Sequence, residues 1–358
     1  MSAKAPGVER RRFPAASREG SRDVRVAPLL AMPTLLREHG VDPALVLAQV
    51  GLDPRLFDDP ENRVSAGAIG RLLDTSVKLT GCPHFGLLVG QRFNLDSLGV
   101  LGTLMRNCPT LRDALRLAAL HLELHDRSAV SLTLNLGDGT SALGYSLFDG
   151  RTPAAEQFLD GAIAMQNLLL RDLCGPAWKP VSIRLSHSRP ANVAPLRKHF
   201  RARLEFDAPV SGIVFASRWL DPPIAGADPA AFAAITRAIE SAESRHPMPF
   251  STQVRRALYA MMFAGPVSTA SVARLFAMHE RTLRRRLAEE RATVRGLLGE
   301  ARREVAHHLL RDTDMPVSEI AAVLRYSDVT VFARAFRRWS KMSPRQWRAE
   351  QASARHRA

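Results

Sequence analysis

Cysteine is scarce: three residues in 358, Cys82, Cys108 and Cys174, far apart and odd in number. They form neither a disulfide framework nor a Cys-x-x-Cys pair, and a reducing cytoplasm is the expected compartment. Long apolar runs are also missing. No stretch of about 18 uncharged apolar residues occurs, so no membrane-spanning helix and no membrane partner are expected. The basic stretch 1–24, rich in Ala, Ser and Pro, lacks the apolar core of a signal peptide and reads as a disordered tail. Catalytic signatures are thin. There is no Gly-x-Ser-x-Gly elbow, no phosphate-binding glycine loop and no Cys/His pair in catalytic context. His121 and His125 lie four apart with Glu123 between them. Four residues is a metal-sharing spacing on a helix, but the order differs from His-Glu-x-x-His and no third ligand is visible. Surface or core histidines are the expectation, with no metal site and no cofactor.

What is present in excess is positive charge, and it is unevenly placed. Residues 25–250 carry 23 basic and 22 acidic residues, whereas residues 251–358 carry 21 and 10. A neutral body joined to a basic module points to a polyanion partner for that module alone, nucleic acid before membrane.

The body alternates in texture. Residues 27–92 read as short amphipathic helices with loops, three of them ending at or near Gly40, Gly51 and Gly81, where glycine takes a left-handed cap easily. Thr110 is a fitting N-cap for a helix through Leu124. Ala129–Leu136 and Ser141–Phe148 flank Gly137-Asp138-Gly139 as a hairpin. A long helix is expected near Ala154–Asp172, a strand at Val181–His187, a short helix near Val193–His199 and a strand at Ser211–Ser217. These elements make residues 25–220 an α+β sensor and dimerisation domain. Residues 221–250, interrupted by Pro222, Pro223, Pro229, Pro247 and Pro249, read as a linker holding one short helix.

The basic module, 251–350, carries the most specific pattern. In Thr269–Leu287 the apolar residues Val272, Leu275, Phe276, Leu283 and Leu287 fall into two helical sets split by Ala277-Met278-His279, the pattern of a helix-turn-helix. With Leu283 and Leu287 inward, Arg281, Arg284 and Arg285 face outward, because residues three and four apart share a helix face. Arg286, beside an inward leucine, is expected to pack its stem and reach a phosphate. About fifty residues on the pattern recurs. Val317, Ile320, Ala321 and Leu324 line one helix, Arg325-Tyr326-Ser327 is a turn, and a second helix over Asp328–Trp339 buries Phe332 and Phe336. Thr330, Ala333 and Arg334 point outward. Between the two units, Leu297–Asp314 is helical by period. Two reading helices held by one connecting helix can reach successive major grooves, about 34 Å apart.

These segments resemble the AraC/XylS family of transcription regulators. The resemblance rests on STASVARLFAMHERTLRRRLAEE and on ARREVAHHLLRDTDMPVSEIAAVLRYSDVTVFARAFRRWSKMSPRQWR, and covers about 100 residues. LGVLGTLMRNCPTLRDALRLA, with FGLLVGQRF before it, is similar to the arabinose-binding-type sensor of one branch of that family. The resemblance implies an all-α DNA-binding domain with two helix-turn-helix units joined by a linker helix. Bases would be read through Arg281, Arg284 and Arg285, and through Thr330, Ala333 and Arg334. Double-stranded promoter DNA is the partner implied, under control of a small-molecule effector or of homodimerisation, with RNA polymerase a further candidate partner. Where the family usually has turn glycines, this chain has Arg291, Arg325 and Lys341. A left-handed backbone there costs a side-chain-bearing residue about 1 kcal/mol. Each replacement adds a charge where phosphates would lie, so these three, with Arg286, Arg337 and Arg338, are the expected phosphate contacts.

Two other classes compete. One is a sequence-independent architectural DNA-binding protein, which would not need a neutral domain of about 195 residues. The other is a small-molecule enzyme with a basic accessory domain, for which residues 25–220 show no titratable cluster at catalytic spacing. The 351–358 end reads as a disordered tail.

Overall fold

A computed structural model of the chain describes residues 23–147, 152–245, 249–264, 267–276 and 278–355. The expectations for 1–22, Phe148, Ala277 and 356–358 fall outside the described residues.

Strand β1 (Asp23–Arg25) pairs antiparallel with β2 (Arg63–Ser65), and the Asp23 carboxylate accepts from Arg63 at 2.6 Å. Three-residue strands leave no alternation to read, which is why neither was foreseen. Helices α1 (Met32–Glu38), α2 (Pro43–Gln49), α3 (Ala66–Thr80) and α4 (Phe85–Gln91) follow the expected order. Gly40, Gly51 and Gly81 take φ of 73°, 68° and 64° at the helix ends where left-handed caps were expected.

Helix α5 (Val100–Arg106) leads to α6 (Leu111–Leu120), whose N-cap Thr110 accepts from the Asp113 amide. The helix stops at Leu120 and a short 3-10 turn covers Leu122–Leu124. His121 and His125 therefore do not lie on one continuous α-helix. Burial pushes His125 down to about 4.

Strands β3 (Ala129–Asn135) and β4 (Thr140–Leu147) form the hairpin, in register from Ala129↔Leu147 to Asn135↔Ser141. The long helix is α7 (Ala155–Cys174), followed by β5 (Ser182–Arg184), α8 (Ala194–Phe200), β6 (Arg203–Glu205) and β7 (Ser211–Ala216). The five-stranded sheet runs β3-β4-β7-β5-β6, antiparallel except for the β5–β6 pair. Leu159, Ile163 and Leu170 of α7 bury against the sheet through Leu143, Ile213 and Phe215. On the other side of α7 lies α4, at backbone contact: a Cβ at Gly86 would sit 2.0 Å from the Gln157 carbonyl oxygen. Glycine there lets the helical layer join the sheet layer.

The Pro-rich segment after Asp221 holds α9 (Pro229–Arg245), 17 residues long rather than one short helix. Ile239 is buried, and Phe232 and Ile235 pack on the core of the preceding domain. Ala-rich sequence between prolines disguised a helix that belongs to the body.

The basic module is all helix: α10 (Phe250–Ala264), α11 (Thr269–Leu275), α12 (Glu280–Glu289), α13 (Val294–Asp312), α14 (Val317–Val323), α15 (Val329–Ser340) and α16 (Pro344–Arg355). Helix α16 carries the chain to Arg355 in ordered form, past the residue 351 at which a tail was expected. The module is docked on the body. Val130 and Leu132 of edge strand β3 share one core with Tyr259 and Met262 of α10 and with Phe332 and Phe336 of α15.

Candidate nucleic-acid interface

In the first unit, the Ser268 hydroxyl accepts from the Ser271 amide and the Ser271 side chain reaches back, a reciprocal cap that starts α11. Helix α12 starts at His279, whose Nδ1 accepts from the Arg281 amide at 3.2 Å. Val272, Ala273, Leu283 and Leu287 are buried together, with Phe276 edge-on to Phe250 at 5.3 Å. Leu275 departs from expectation. It is 59% exposed, because α11 ends there and the chain turns the side chain away from the seam.

With the leucines inward, Arg281, Arg284, Arg285 and Arg286 are all exposed. Arg284 donates to Glu280 at 3.0 Å and Arg285 lies 4.0 Å from Glu289, while no carboxylate pairs with the Arg281 guanidinium among the described residues. The sequence reading missed those two glutamates, although their i,i+4 spacing signals them. Arg286 differs from its neighbours. Its guanidinium carbon stands 4.0 Å from the Phe250 ring centroid, a cation–π contact that holds α12 against α10. Glu290 completes this joint by accepting from the Phe250 and Ser251 amides, both at 2.7 Å.

The second unit repeats the design with aromatic packing. Asp328 caps α15, its carboxylate accepting from the Thr330 and Val331 amides at 2.7 and 2.9 Å. Those bonds hold Asp328 below the usual carboxylate range. Phe332 and Phe336 are fully buried, flanked by Tyr326, Trp339 and Trp347, and Arg302 of the connecting helix lies over the Tyr326 ring at 5.1 Å. On the opposite face Thr330, Arg334, Arg337 and Arg338 are exposed and Ala333 is half-buried. Val329, which the sequence reading did not single out, is 42% exposed at the first turn. Between the units α13 is one unbroken helix of 19 residues, about 28 Å long at 1.5 Å per residue.

Arg291, Arg325 and Lys341 take φ of 54°, 57° and 63°, the left-handed conformation expected at each. All three are exposed and sit just past the ends of α12, α14 and α15. Replacing all three by glycine should relieve about 1–2 kcal/mol of strain per site, offset by about 0.4–1 kcal/mol of extra unfolded-chain entropy. The triple variant is expected to melt higher than the parent and to bind duplex DNA less tightly at low salt. Calorimetry and salt-dependent titration read the two effects separately.

The arrangement is that of a transcription regulator: two capped helices, each with an exposed polar face, fixed on one connecting helix and docked on an α+β domain. Comparison with known proteins agrees. The arabinose-binding domain of AraC transcription regulators matches residues 40–224, and a helix-turn-helix domain matches residues 272–350. The chain belongs to the AraC family of transcription regulators. The HTH-type transcriptional regulator VirS of Mycobacterium tuberculosis is 28% identical over 91% of this chain and 96% of its own. A second M. tuberculosis HTH-type regulator is 30% identical over 87% and 92%. Among solved structures, the transcriptional regulator CdpR of Pseudomonas aeruginosa is 26% identical, covering 86% of this chain and 96% of its own, with a TM-score of 0.43.

Proposed function

We propose that the chain, an α+β body that takes in α9 followed by a helical reader from α10 to α16, acts in the cytoplasm by setting α12 and α15 into successive major grooves of a promoter. Arg281, Arg284 and Arg285 read bases from the first helix; Thr330, Ala333 and Arg334 read them from the second. Val329 adds an apolar contact suited to a thymine methyl. Arg286, Arg291, Arg325, Arg337, Arg338 and Lys341 meet phosphates, with Arg286 doing so from its stacked position on Phe250. The observation that carries this reading is the repetition: two units, each with a capped reading helix whose inward face is sealed and whose outward face is polar and exposed. The body acts as a sensor of a small molecule or as a homodimerisation module, rather than as an enzyme, with RNA polymerase contacted on the promoter.

Arg284→Ala and Lys341→Ala separate the two roles. Arg284→Ala is expected to relax base preference at one position, at a cost of about 1–3 kcal/mol. Lys341→Ala should weaken all sequences about equally and lower the salt slope by about 1. Selection from a randomised duplex pool, repeated at several salt concentrations, reads both. Two variants that merely bind every sequence less well would contradict the division of roles.

A further inference from the structure

The neutral body carries one concentrated patch of positive charge. Between Ser188 and Leu204 there are five basic residues, Arg189, Arg197, Lys198, Arg201 and Arg203, and no carboxylate. The four arginines stand exposed on a groove of about 570 Å³ at the β6 edge of the sheet, whose lining also holds half-buried Ala202, Leu204 and Phe206 as its floor. Arg203 shares the Glu205 carboxylate with Arg184, at 3.5 and 3.1 Å. Arg189, Arg197 and Arg201 have no carboxylate partner among the described residues, and Arg189 stands over the Phe206 ring at 5.8 Å. Like charges gathered on one concavity repel one another, so an anion seated among them is favoured by all of them at once.

The floor decides the class of anion. A site for a bare inorganic ion or a DNA phosphate needs donors and no apolar base, whereas half-buried Leu204 and Phe206 offer an apolar surface under a guanidinium rim. That pairing fits a small organic anion with a flat or branched apolar body, in a volume typical of small-molecule sites. The groove also lies on the route to the reader. Arg201 and Asp207, on either side of β6, both take left-handed backbone, at φ 50° and 55°. One residue past Phe206, the Asp207 carboxylate accepts from the Asp314 amide at 2.8 Å and from the Ser188 hydroxyl at 3.1 Å. Asp314 leads directly into the second helix-turn-helix, and Ser188 precedes Arg189 in the groove wall. We propose that this arginine groove on β6 is the effector site of the body, taking a small organic carboxylate or phosphate ester, and that its occupancy is felt at the Asp207–Asp314 contact.

This rests on the reading of the body as a small-molecule sensor. The test uses the full chain with phthalate and phenyl phosphate as probes, inorganic phosphate and benzyl alcohol as controls, and titration calorimetry as readout. One aromatic dianion is expected to bind in a one-to-one ratio. Inorganic phosphate should bind more weakly and benzyl alcohol not at all. The variant R197Q/R201G should lose at least about tenfold in affinity for the probe. R201G alone should melt no lower than the parent, since glycine suits that backbone, so lost binding there is not lost folding. Random-sequence duplex should bind the double variant and the parent alike. Probe binding unchanged in the variant, or no binding of either probe at millimolar concentration, overturns the assignment. So does a loss confined to random duplex, which would make the groove a DNA-backbone contact. A neutral metabolite that raises the melting temperature of parent and variant equally would overturn the groove yet leave the sensor reading standing. A promoter response that no small molecule alters, with no melting shift from any, would end both.

Discussion

Replacing Arg281, Arg284 and Arg285 together by alanine is expected to lower affinity for a target promoter by about 10³-fold while leaving the fold intact. A good arginine–guanine contact supplies about 1–3 kcal/mol of discrimination, and each tenfold in affinity is about 1.4 kcal/mol. Losing three such contacts, allowing for incomplete additivity, reaches the stated range. The glutamate partners do not offset it. Arg284 and Arg285 must release Glu280 and Glu289 to reach bases, but exposed pairs of this kind hold only about 0–1 kcal/mol. All three arginines are exposed and the seam is made by Leu283 and Leu287, so melting should be near that of the parent. Gel-shift titration beside circular dichroism checks both halves. A variant that melts far lower would mean the arginines hold the helix rather than read DNA.

The second large effect lies between the domains. Arg256→Ala should destabilise docking of the reader on the body by about 3–5 kcal/mol, because it strands a carboxylate in a largely dry seam. Arg256 of α10 pairs with Glu123 of the body, with side chains 11% and 15% exposed. Desolvation lowers the Arg256 pKa, partly countered by Glu123 and by Asp126, which itself caps Ser128 and accepts from Tyr145. The same body–reader interface buries Val130, Leu132, Tyr259 and Met262 in one core. A second polar joint lies near the end of α13, where His308 contacts Ser186 of the body at 3.0 Å and Asp312 at 2.9 Å. Limited proteolysis and thermal melting should both register the loss. The double replacement Arg256→Met with Glu123→Leu is expected to restore melting to near the parent value, since a buried pair exchanged for apolar side chains is often neutral or better. If Arg256→Ala melted like the parent, the ion pair would not be holding the domains together.

The DNA-binding half was legible because its signals are local. Leucine and phenylalanine spacing fixed which face of α12 and α15 turns inward, and the outward arginines followed from that. Arg291, Arg325 and Lys341 stood where glycine is usual, and all three have the left-handed backbone glycine would have had. What escaped was short or non-local. Strands β1, β2 and β6 have three residues each, below the length at which alternation shows. Leu275 carries the right spacing for the seam but lies where the helix ends. Glu123 looked like part of a histidine cluster, because its partner Arg256 is 133 residues away. The groove on β6 needed the fold as well, since its arginines come from a loop, a helix end and a strand.

Competition between a selected promoter site and random duplex at physiological salt shows whether the two arginine-bearing helices read a particular sequence. The full chain is expected to prefer the promoter site by more than about 10³-fold, a preference that the triple arginine variant largely loses. A preference below about 10³ in the parent, unchanged by the variant, would contradict it and make the chain a sequence-independent DNA-binding protein.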